Sequence, residues 1–342
     1  MAESPQPDPG IVVEASEIVI DSMQMLFESQ IGITPNDSFG SYVQSAYGDN
    51  LMLGVSNSPG NDNGGLVASL QPDGTLSLET VVNEQGIHDI NVFGDEIVVP
   101  GTDPTDGGWN LGNVYRKIDS AWEEFRTLPN VIHAFGMIKI GSEYFVATGA
   151  HVGDNTTYSG RVYRSTDLQN WTWVELGVEI NGEWYTFRVT EIAKHGSRLY
   201  ATVMVPVNTT WLFISSDDGQ TWTQNPGIDP SIYGRYCIHG DYLCVLNKSL
   251  YQIWLFDLEG IVSVLSLGGG KNASEKFNVL ASDGERLYVL ANDGYIWRTS
   301  DLATWQLYSQ VTNAISIGYW PSQNCLVVSD KGANAKLWRI AL

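Results

Sequence analysis

The hydrophobic pattern of the chain repeats along its whole length. A glycine–polar pair, or a polar equivalent, precedes a short run in which apolar and other residues alternate, and seven such copies recur at roughly 40- to 55-residue intervals. The copies begin at Gly48, Gly94, Gly141, Gly196, Gly240, Gly284 and Ser322. Alternation between turn residues is typical of half-buried β-strands. The repeat therefore predicts seven copies of one small sheet.

A second signature keeps the same phase and completes each unit. An apolar–aromatic run ends in a polar turn, as in Val162-Tyr163-Arg164 and Ile296-Trp297-Arg298. In the third unit the predicted strands fall near 134–140, 143–148 and 160–165, followed by a fourth near 171–175. Since no long segment has helical periodicity, the pattern predicts an all-β, seven-bladed β-propeller with four-stranded antiparallel blades.

The two ends of the chain predict how the ring closes. The segment 336–342 supplies only a third strand for the last blade, so we expect an N-terminal strand near 25–31 to complete it. Residues 23–342 then form one propeller domain and residues 1–22 form an arm. The arm contains Ile11-Val12-Val13 and Ile18-Val19-Ile20, which predicts that it binds a partner's sheet edge. The alternative is that it lies along its own propeller.

The charge of the chain narrows the classes of partner. The 342 residues contain 39 Asp and Glu against 18 Lys and Arg, a net charge of −21. Nucleic acid and anionic membranes attract basic surfaces, so neither is an expected partner. The N-terminus lacks the basic and apolar regions of a signal peptide, and no run of residues is long and apolar enough to span a membrane. We therefore expect synthesis in the cytoplasm.

A turn motif resembles the Asp-box of sialidase-like (BNR-repeat) propellers. The full motif, S-x-D-x-G-x-T-W, is matched by Ser215, Asp217, Gly219 and Trp222, and shorter variants contain Asp167 with Trp171 and Asp301 with Trp305. The aspartate of such a turn accepts hydrogen bonds from backbone N–H groups nearby. The resemblance implies a structural motif on the face opposite the usual active site.

The same resemblance implies where catalysis would occur, but the set of catalytic residues in this chain is incomplete. In sialidase-like propellers an arginine cluster, a Tyr–Glu pair and an Asp act where the first strands begin. This chain has Arg188 and Arg235 at first-strand starts, with Tyr185 and Glu191 nearby, but it lacks a third arginine and the proline of the Phe-Arg-Ile-Pro motif. We predict no catalytic residues. Among 39 acids, the sequence cannot exclude a glycoside hydrolase pair.

The remaining candidate residues belong to a recognition face. Long loops between second and third strands occur at 56–65, 100–113 and 149–160, on the face where the first strands begin. Non-repeated aromatic residues and histidines accompany them, namely Trp109, Trp184, Tyr185, His88 and His133. Exposed aromatic rings beside polar loops suit sugar stacking or a protein interface. No pattern predicts a metal site or a cofactor.

These observations favour a non-catalytic structural or interaction module. The acidic, lysine-poor chain with its degenerate Asp-boxes resembles bacteriophage virion propellers of tails, tail hubs or capsid decorations. That resemblance implies virion or assembly proteins as partners and a virion-associated location. The alternatives are a glycan- or receptor-binding propeller, a glycoside hydrolase, and an assembly factor like those that serve photosystems.

Overall fold

The computed structural model describes most of the chain. It covers residues 13–19, 22–35, 37–57, 64–105, 110–151, 158–205, 210–225, 236–247, 252–259, 261–266, 279–291 and 294–342. The first elements are β1 (Ser16–Val19), α1 (Ser22–Ile31), β2 (Gly40–Tyr47), β3 (Asn50–Ser56), β4 (Gly65–Leu70), β5 (Leu76–Val82), β6 (Glu84–Ile87), β7 (Asn91–Phe93), β8 (Glu96–Pro104), β9 (Leu111–Ile118) and β10 (Ala121–Pro129).

Strands continue to the end of the chain. The middle elements are β11 (Val131–Ile140), β12 (Glu143–His151), β13 (Tyr158–Ser165), β14 (Thr172–Glu175), β15 (Val178–Ile180), β16 (Glu183–Tyr185), β17 (Arg188–His195), β18 (Arg198–Met204), β19 (Thr210–Ser215) and β20 (Thr223–Asn225). The last are β21 (Cys237–His239), β22 (Tyr242–Asn247), β23 (Gln252–Phe256), β24 (Ile261–Ser266), β25 (Leu280–Ser282), β26 (Leu287–Leu290), β27 (Tyr295–Thr299), β28 (Gln306–Gln310), β29 (Ala314–Trp320), β30 (Cys325–Asp330) and β31 (Leu337–Ala341), with a 3₁₀ turn at Pro321–Gln323.

The strands form an all-β propeller with four-stranded antiparallel blades. Five separate sheets have four strands each, in the orders β2–β3–β4–β5, β17–β18–β19–β20, β21–β22–β23–β24, β25–β26–β27–β28 and β1–β31–β30–β29. Each copy of the repeated turn joins two paired strands. Gly48 and Gly196 have φ of 57°, a left-handed conformation that glycine adopts without strain, and Asn324 takes the same role in the last copy at 45°.

The expectation of seven separate sheets is not met, because the second and third repeats share one sheet. This nine-stranded sheet contains β6 to β14. The strand β8 is nine residues long but its partner β7 has only three, so the far end of β8 is free to pair with β6 and, at Thr102, with His133 of β11. Pairing beyond the hairpin therefore joins two repeats that the sequence separates.

Both faces of a sheet are buried, which explains why the strands of each repeat are so apolar. In β3, Leu51, Leu53 and Val55 pack into one apolar cluster, whereas Met52 packs into a different cluster on the other face. All four residues are at most 1% exposed. Because side chains alternate between the two faces of a strand, each sheet is stabilised by both of its neighbours.

The first and last sheets are also neighbours. The Ser316 hydroxyl donates to the Ser41 carbonyl at 2.7 Å, and the Gln44 amide donates to the Ser316 hydroxyl at 3.0 Å. The Trp320 indole N–H donates to the Asp49 carbonyl at 2.9 Å. These bonds join β29 to β2 and to the turn after it.

The expected closing strand at 25–31 is wrong, because this segment belongs to the helix α1. Its apolar residues Met23, Leu26, Phe27 and Ile31 have the three- and four-residue spacing of a helix face. Met23 and Phe27 are buried, and the Phe27 ring lies 5.0 Å from the ring of Phe39. The helix therefore packs its apolar face against the first and last sheets.

The strand that completes the last sheet comes from the predicted arm instead. Ser16 and Glu17 of β1 pair antiparallel with β31, and Glu17 also forms an ion pair with Lys336 at 2.9 Å. Before it, the Val13 N–H donates to the Tyr308 carbonyl at 2.7 Å on β28. The second half of the arm thus lies along its own propeller. Residues 1–12 lie outside the described part of the chain.

Phe27→Ala tests the helix assignment. Removing a fully buried ring leaves a cavity, so we expect the free energy of unfolding to fall by about 3–5 kcal/mol in a denaturant titration. The matched control is Met25→Ala on the same helix. Met25 is 65% exposed, so its replacement is expected to change the free energy by less than about 0.5 kcal/mol. Equal effects of the two substitutions would contradict the helix.

Candidate functional site

Three predicted residues meet where first strands begin. His88 precedes β7, His133 lies near the start of β11, and Arg188 begins β17. Phe135 joins them: the His88 and His133 rings lie nearly parallel to its ring, with centroids at 5.6 and 5.4 Å, and the Arg188 guanidinium carbon is 5.9 Å from its centroid. The Arg188 guanidinium also lies 4.5 Å from the Phe187 ring. We call His88, His133, Phe135 and Arg188 the axial cluster.

The sequence reasoning missed Phe135. It lies in an apolar first strand and is 4% exposed, which is the pattern of an ordinary core residue. The usable signal is its position two residues after His133, because alternate residues of a strand share a face.

A carboxyl group beside the axial cluster titrates near neutral pH. Asp103 Oδ1 lies 3.0 Å from His133 Nε2. The backbone of Asp103 is in the left-handed region, with φ of 58°. Burial raises the pKa of Asp103 to about 6, although the positive charge of Arg188 opposes this. The charge of this edge of the cluster therefore changes between mildly acidic and neutral solution.

A second carboxyl group, Glu84, is fully buried nearby. It accepts hydrogen bonds from the Asn113 amide at 2.5 Å and the Tyr115 hydroxyl at 3.2 Å. A Cβ at Gly101 would lie 2.4 Å from this carboxyl group, so the glycine makes room for it. Burial raises the pKa of Glu84 well above the ordinary value, and the two hydrogen bonds oppose the rise. One glutamate among many acids gave no sequence signal for this.

Glu191, which the sequence analysis placed near Arg188, is a third carboxyl group with a raised pKa. It lies in β17 and is 7% exposed. A Cβ on Gly136 would lie 3.1 Å from Glu191 Oε1. The Ile192 N–H donates to the same oxygen at 3.2 Å. Burial raises the pKa of Glu191 to about 8. The side chain is thus largely neutral at pH 7.

Trp184 and Tyr185 lie outside the axial cluster, on the β15–β16 hairpin. The Trp184 side chain is 58% exposed, whereas Tyr185 is partly buried and its hydroxyl donates to Glu183 at 2.7 Å. The hairpin precedes Arg188 by a few residues in the chain. Trp109 and Arg235, also predicted for this face, lie outside the described residues.

The predicted Asp-box residues make hydrogen bonds within their own turns. Asp217 accepts from the Thr221 N–H at 2.9 Å and from the Ser215 hydroxyl at 2.7 Å, and the Ser215 hydroxyl accepts from the Gly219 N–H. The Trp222 indole N–H donates to the Gly219 carbonyl. Hydrogen bonds from Thr221 and Ser215 lower the pKa of Asp217 to about 2.

The two shorter turns repeat this arrangement. Asp167 accepts from the Asn170 N–H and Asp301 accepts from the Thr304 N–H, each at 2.8 Å, and these bonds lower both pKa values. The Trp171 indole N–H donates to the Thr127 hydroxyl, and Trp305 packs on an apolar cluster. The contacts are local to the turns. Membership of the Asp-box family stays a prediction.

Phe135 and His133 are buried at 4% and 8% exposure, whereas His88 and Arg188 are half-buried, so the groups of the axial cluster that a partner could reach are His88 and Arg188. The cluster combines a guanidinium, two imidazoles and an aromatic ring from consecutive repeats, with a titrating carboxyl at its edge. Within the described part of the chain, no group of three or more His, Cys, Asp or Glu residues could hold a metal ion. No helix among the described residues is long and apolar enough to cross a membrane.

Comparisons with known proteins bear on the fold. No protein-family profile matches the sequence, and no curated protein does. Solved structures do: YCF48 from Cyanidioschyzon merolae has a TM-score of 0.58 at 14% identity, covering 90% of this chain and 97% of that one. The Pan2 WD40 domain of Neurospora crassa has a TM-score of 0.56 at 11% identity, covering 96% and 94%.

A third similar structure belongs to a longer protein. PorZ, a surface component of the type-IX secretion system of Porphyromonas gingivalis, has a TM-score of 0.55 at 12% identity. The match covers 91% of this chain but 39% of PorZ, so this chain spans less than half of that protein. At these identities the three likenesses show the fold alone, which is a β-propeller.

Glu191→Gln tests the buried carboxyl. A folded-state pKa of about 8, raised from an ordinary 4.5, means that the folded protein holds a proton that the unfolded chain has lost. Stability from this group is therefore complete at low pH and is lost as pH rises from 4.5 through about 8, at up to about 1.4 kcal/mol per pH unit.

The measurement is denaturant unfolding from about pH 5 to about pH 9.5. We expect the glutamine variant to gain stability over the natural protein as pH rises. The control is Glu259→Gln, since Glu259 is exposed. A constant difference between the Glu191→Gln variant and the natural protein at all pH values would contradict the raised pKa.

Proposed function

We propose that the chain is a non-catalytic protein-interaction module that binds its partner through the axial cluster and through the long loops that the sequence predicts for the same face. The observation that carries the proposal is the meeting of His88, His133 and Arg188 on the Phe135 ring. Stacked rings and a guanidinium are the residue types enriched in the centres of protein interfaces. The proteins compared above support a propeller, a fold that presents such a face on a rigid ring.

The geometry does not favour the glycoside hydrolase alternative. Hydrolysis needs two carboxyl groups that reach opposite sides of one glycosidic bond. Of the carboxyl groups at the site whose pKa is raised, Glu84 and Glu191 are buried and Glu84 is engaged by Asn113 and Tyr115. Only Asp103 is partly exposed, and one carboxyl group does not make a pair. A glycan- or receptor-binding role rests on the exposed ring of Trp184, and the binding experiments below include it.

We also infer that the nine-stranded sheet consists of two blades, which would give the ring seven. Within it, β7 to β10 and β11 to β14 each form an antiparallel set of four in chain order. The two sets are joined through β8, where β11 meets it only at His133 and Thr102. On this interpretation the β1–β31 pairing closes the ring.

The virion role stays a prediction from the sequence resemblance. It is tested by asking whether the full-length protein co-sediments with particles from its source. Co-sedimentation that survives salt washing and is lost when the axial cluster is changed would support it. Protein found only in the soluble fraction would count against a virion location and leave the interaction module to be judged separately.

Arg188→Ala tests the interaction face. The binding partner is first isolated by cross-linking the full-length protein in extract of its source, then purified, and its affinity is measured by calorimetry. We expect at least a roughly tenfold loss, since truncating a central interface arginine costs about 1.4 kcal/mol or more.

The matched control is Arg298→Ala. Arg298 also lies over an aromatic ring, 4.3 Å from the centroid of Tyr308, but it belongs to a different sheet. Circular dichroism and thermal unfolding show whether each variant is folded, and Arg188→Lys, which keeps the charge, serves if the alanine variant is not. Equal affinity of the natural protein and a folded Arg188 variant would contradict the proposed face.

A further inference from the structure

The β15–β16 hairpin is a fixed projection beside the propeller sheets. Its two strands pair with Glu179 directly opposite Trp184. The hairpin is anchored through Thr186, whose hydroxyl accepts from the Gly160 N–H at 2.8 Å and donates to the Leu176 carbonyl at 2.7 Å. The side chains it presents are therefore held in position before any partner arrives, which lowers the entropic cost of binding.

The Trp184 ring is supported on one side and open on the other. Its indole N–H donates to Glu175 Oε1 at 3.0 Å. A Cβ at Gly177 would lie only 2.8 Å from ring atoms Cε2 and Cζ2, so the ring rests on the glycine backbone. Even so, 58% of the side chain is exposed. The ring is thus held by Glu175 and Gly177 while more than half of the side chain faces solvent.

A second tryptophan, Trp173, already contacts an arginine side chain. The Arg161 guanidinium carbon lies 5.2 Å from the centroid of the Trp173 ring, and Arg161 Nε lies 3.9 Å from Glu175 Oε2. Trp173, Arg161 and Glu175 thus form a complete set of ring, guanidinium and carboxylate. Such a set is stabilised by the attraction between the cation and the electron-rich face of the ring.

Trp184 has the ring and the carboxylates of this set but not the cation. It shares Glu175, and the exposed Glu179 lies opposite it across the hairpin. Among the described residues, no Lys or Arg stacks on the Trp184 ring. A guanidinium stacked on the open face of Trp184 would supply the missing cation, with Glu179 opposite the ring and Glu175 shared with Arg161.

We propose that Trp184, with Glu175 and Glu179, receives an arginine side chain from the partner protein. Arginine fits better than lysine because its planar guanidinium stacks on a ring while bonding to carboxylates at its edge. The net charge of −21 favours a basic partner segment by long-range attraction. This inference rests on the proposed interaction function and names the chemistry of the partner.

The test uses the full-length protein and an acetylated tri-arginine peptide. Its tri-citrulline analogue keeps the shape of the side chains and removes their charge. We expect the tri-arginine peptide to quench tryptophan fluorescence and bind in calorimetry, and the citrulline peptide to bind at least about tenfold more weakly. Trp184→Leu and Glu179→Gln are each expected to weaken tri-arginine binding by about three- to tenfold, and Trp184→Phe by less.

The control separates this site from the general acidity of the chain. Glu285→Gln removes one charge from a side chain that is 83% exposed on another sheet. Equal weakening by Glu179→Gln and Glu285→Gln would show non-specific attraction and overturn the proposal. So would undiminished binding by the Trp184→Leu variant, or binding of a neutral oligosaccharide that depends on Trp184 where tri-arginine does not bind.

The partner protein isolated to test the proposed function distinguishes failure of the arginine site from failure of the interaction function. If that partner binds and Trp184→Leu leaves its affinity unchanged, the arginine site is wrong and the interaction function stands. If no partner protein is found but tri-arginine binding depends on Trp184, the site stands and the interaction function is wrong.

Discussion

The contact between the first and last sheets is the constraint on which the rest of the structure depends. Each sheet is apolar on both faces, so a sheet without two neighbours would expose one of them to water. The first and last sheets approach each other closely, because a Cβ on Gly40 would lie 2.6 Å from Ile315 Cδ1 and 2.8 Å from the Asp330 carbonyl. Hydrogen bonds through Ser41 and Ser316 fix the same contact, and α1 covers its outer end.

The sequence predicted the strands well because the turns and the alternation are local signals. Gly48 and Gly196 indicate left-handed turns, and such turns can be predicted without knowing which sheets are neighbours. The closing segment failed because the short apolar run from Met25 to Ile31 fits a strand until its three- and four-residue spacing is counted from Met23. The sharing of one sheet by two repeats could not be predicted either, since it depends on pairing between Thr102 and His133.

The candidate site shows the same division between local and long-range information. His88, His133 and Arg188 could be selected singly from their places at strand starts, but their meeting depends on Phe135, which looks like core. Glu191 could be selected from its place near Arg188, but its burial, and with it the raised pKa, depends on neighbouring strands. Contacts between a guanidinium and an aromatic ring recur at the axial cluster and beside the hairpin.

The pairing of β1 with β31 can form only after the last strand has been synthesised. Ser16 and Arg339 face each other in this pair although 323 positions separate them. At a synthesis rate of roughly 5–20 residues per second, the first strand waits roughly 16–65 seconds for its partner. During that time β1 has no strand to pair with, and the strands already made have open edges. Chaperones that cover such edges are therefore expected to matter more to this protein during translation than after release.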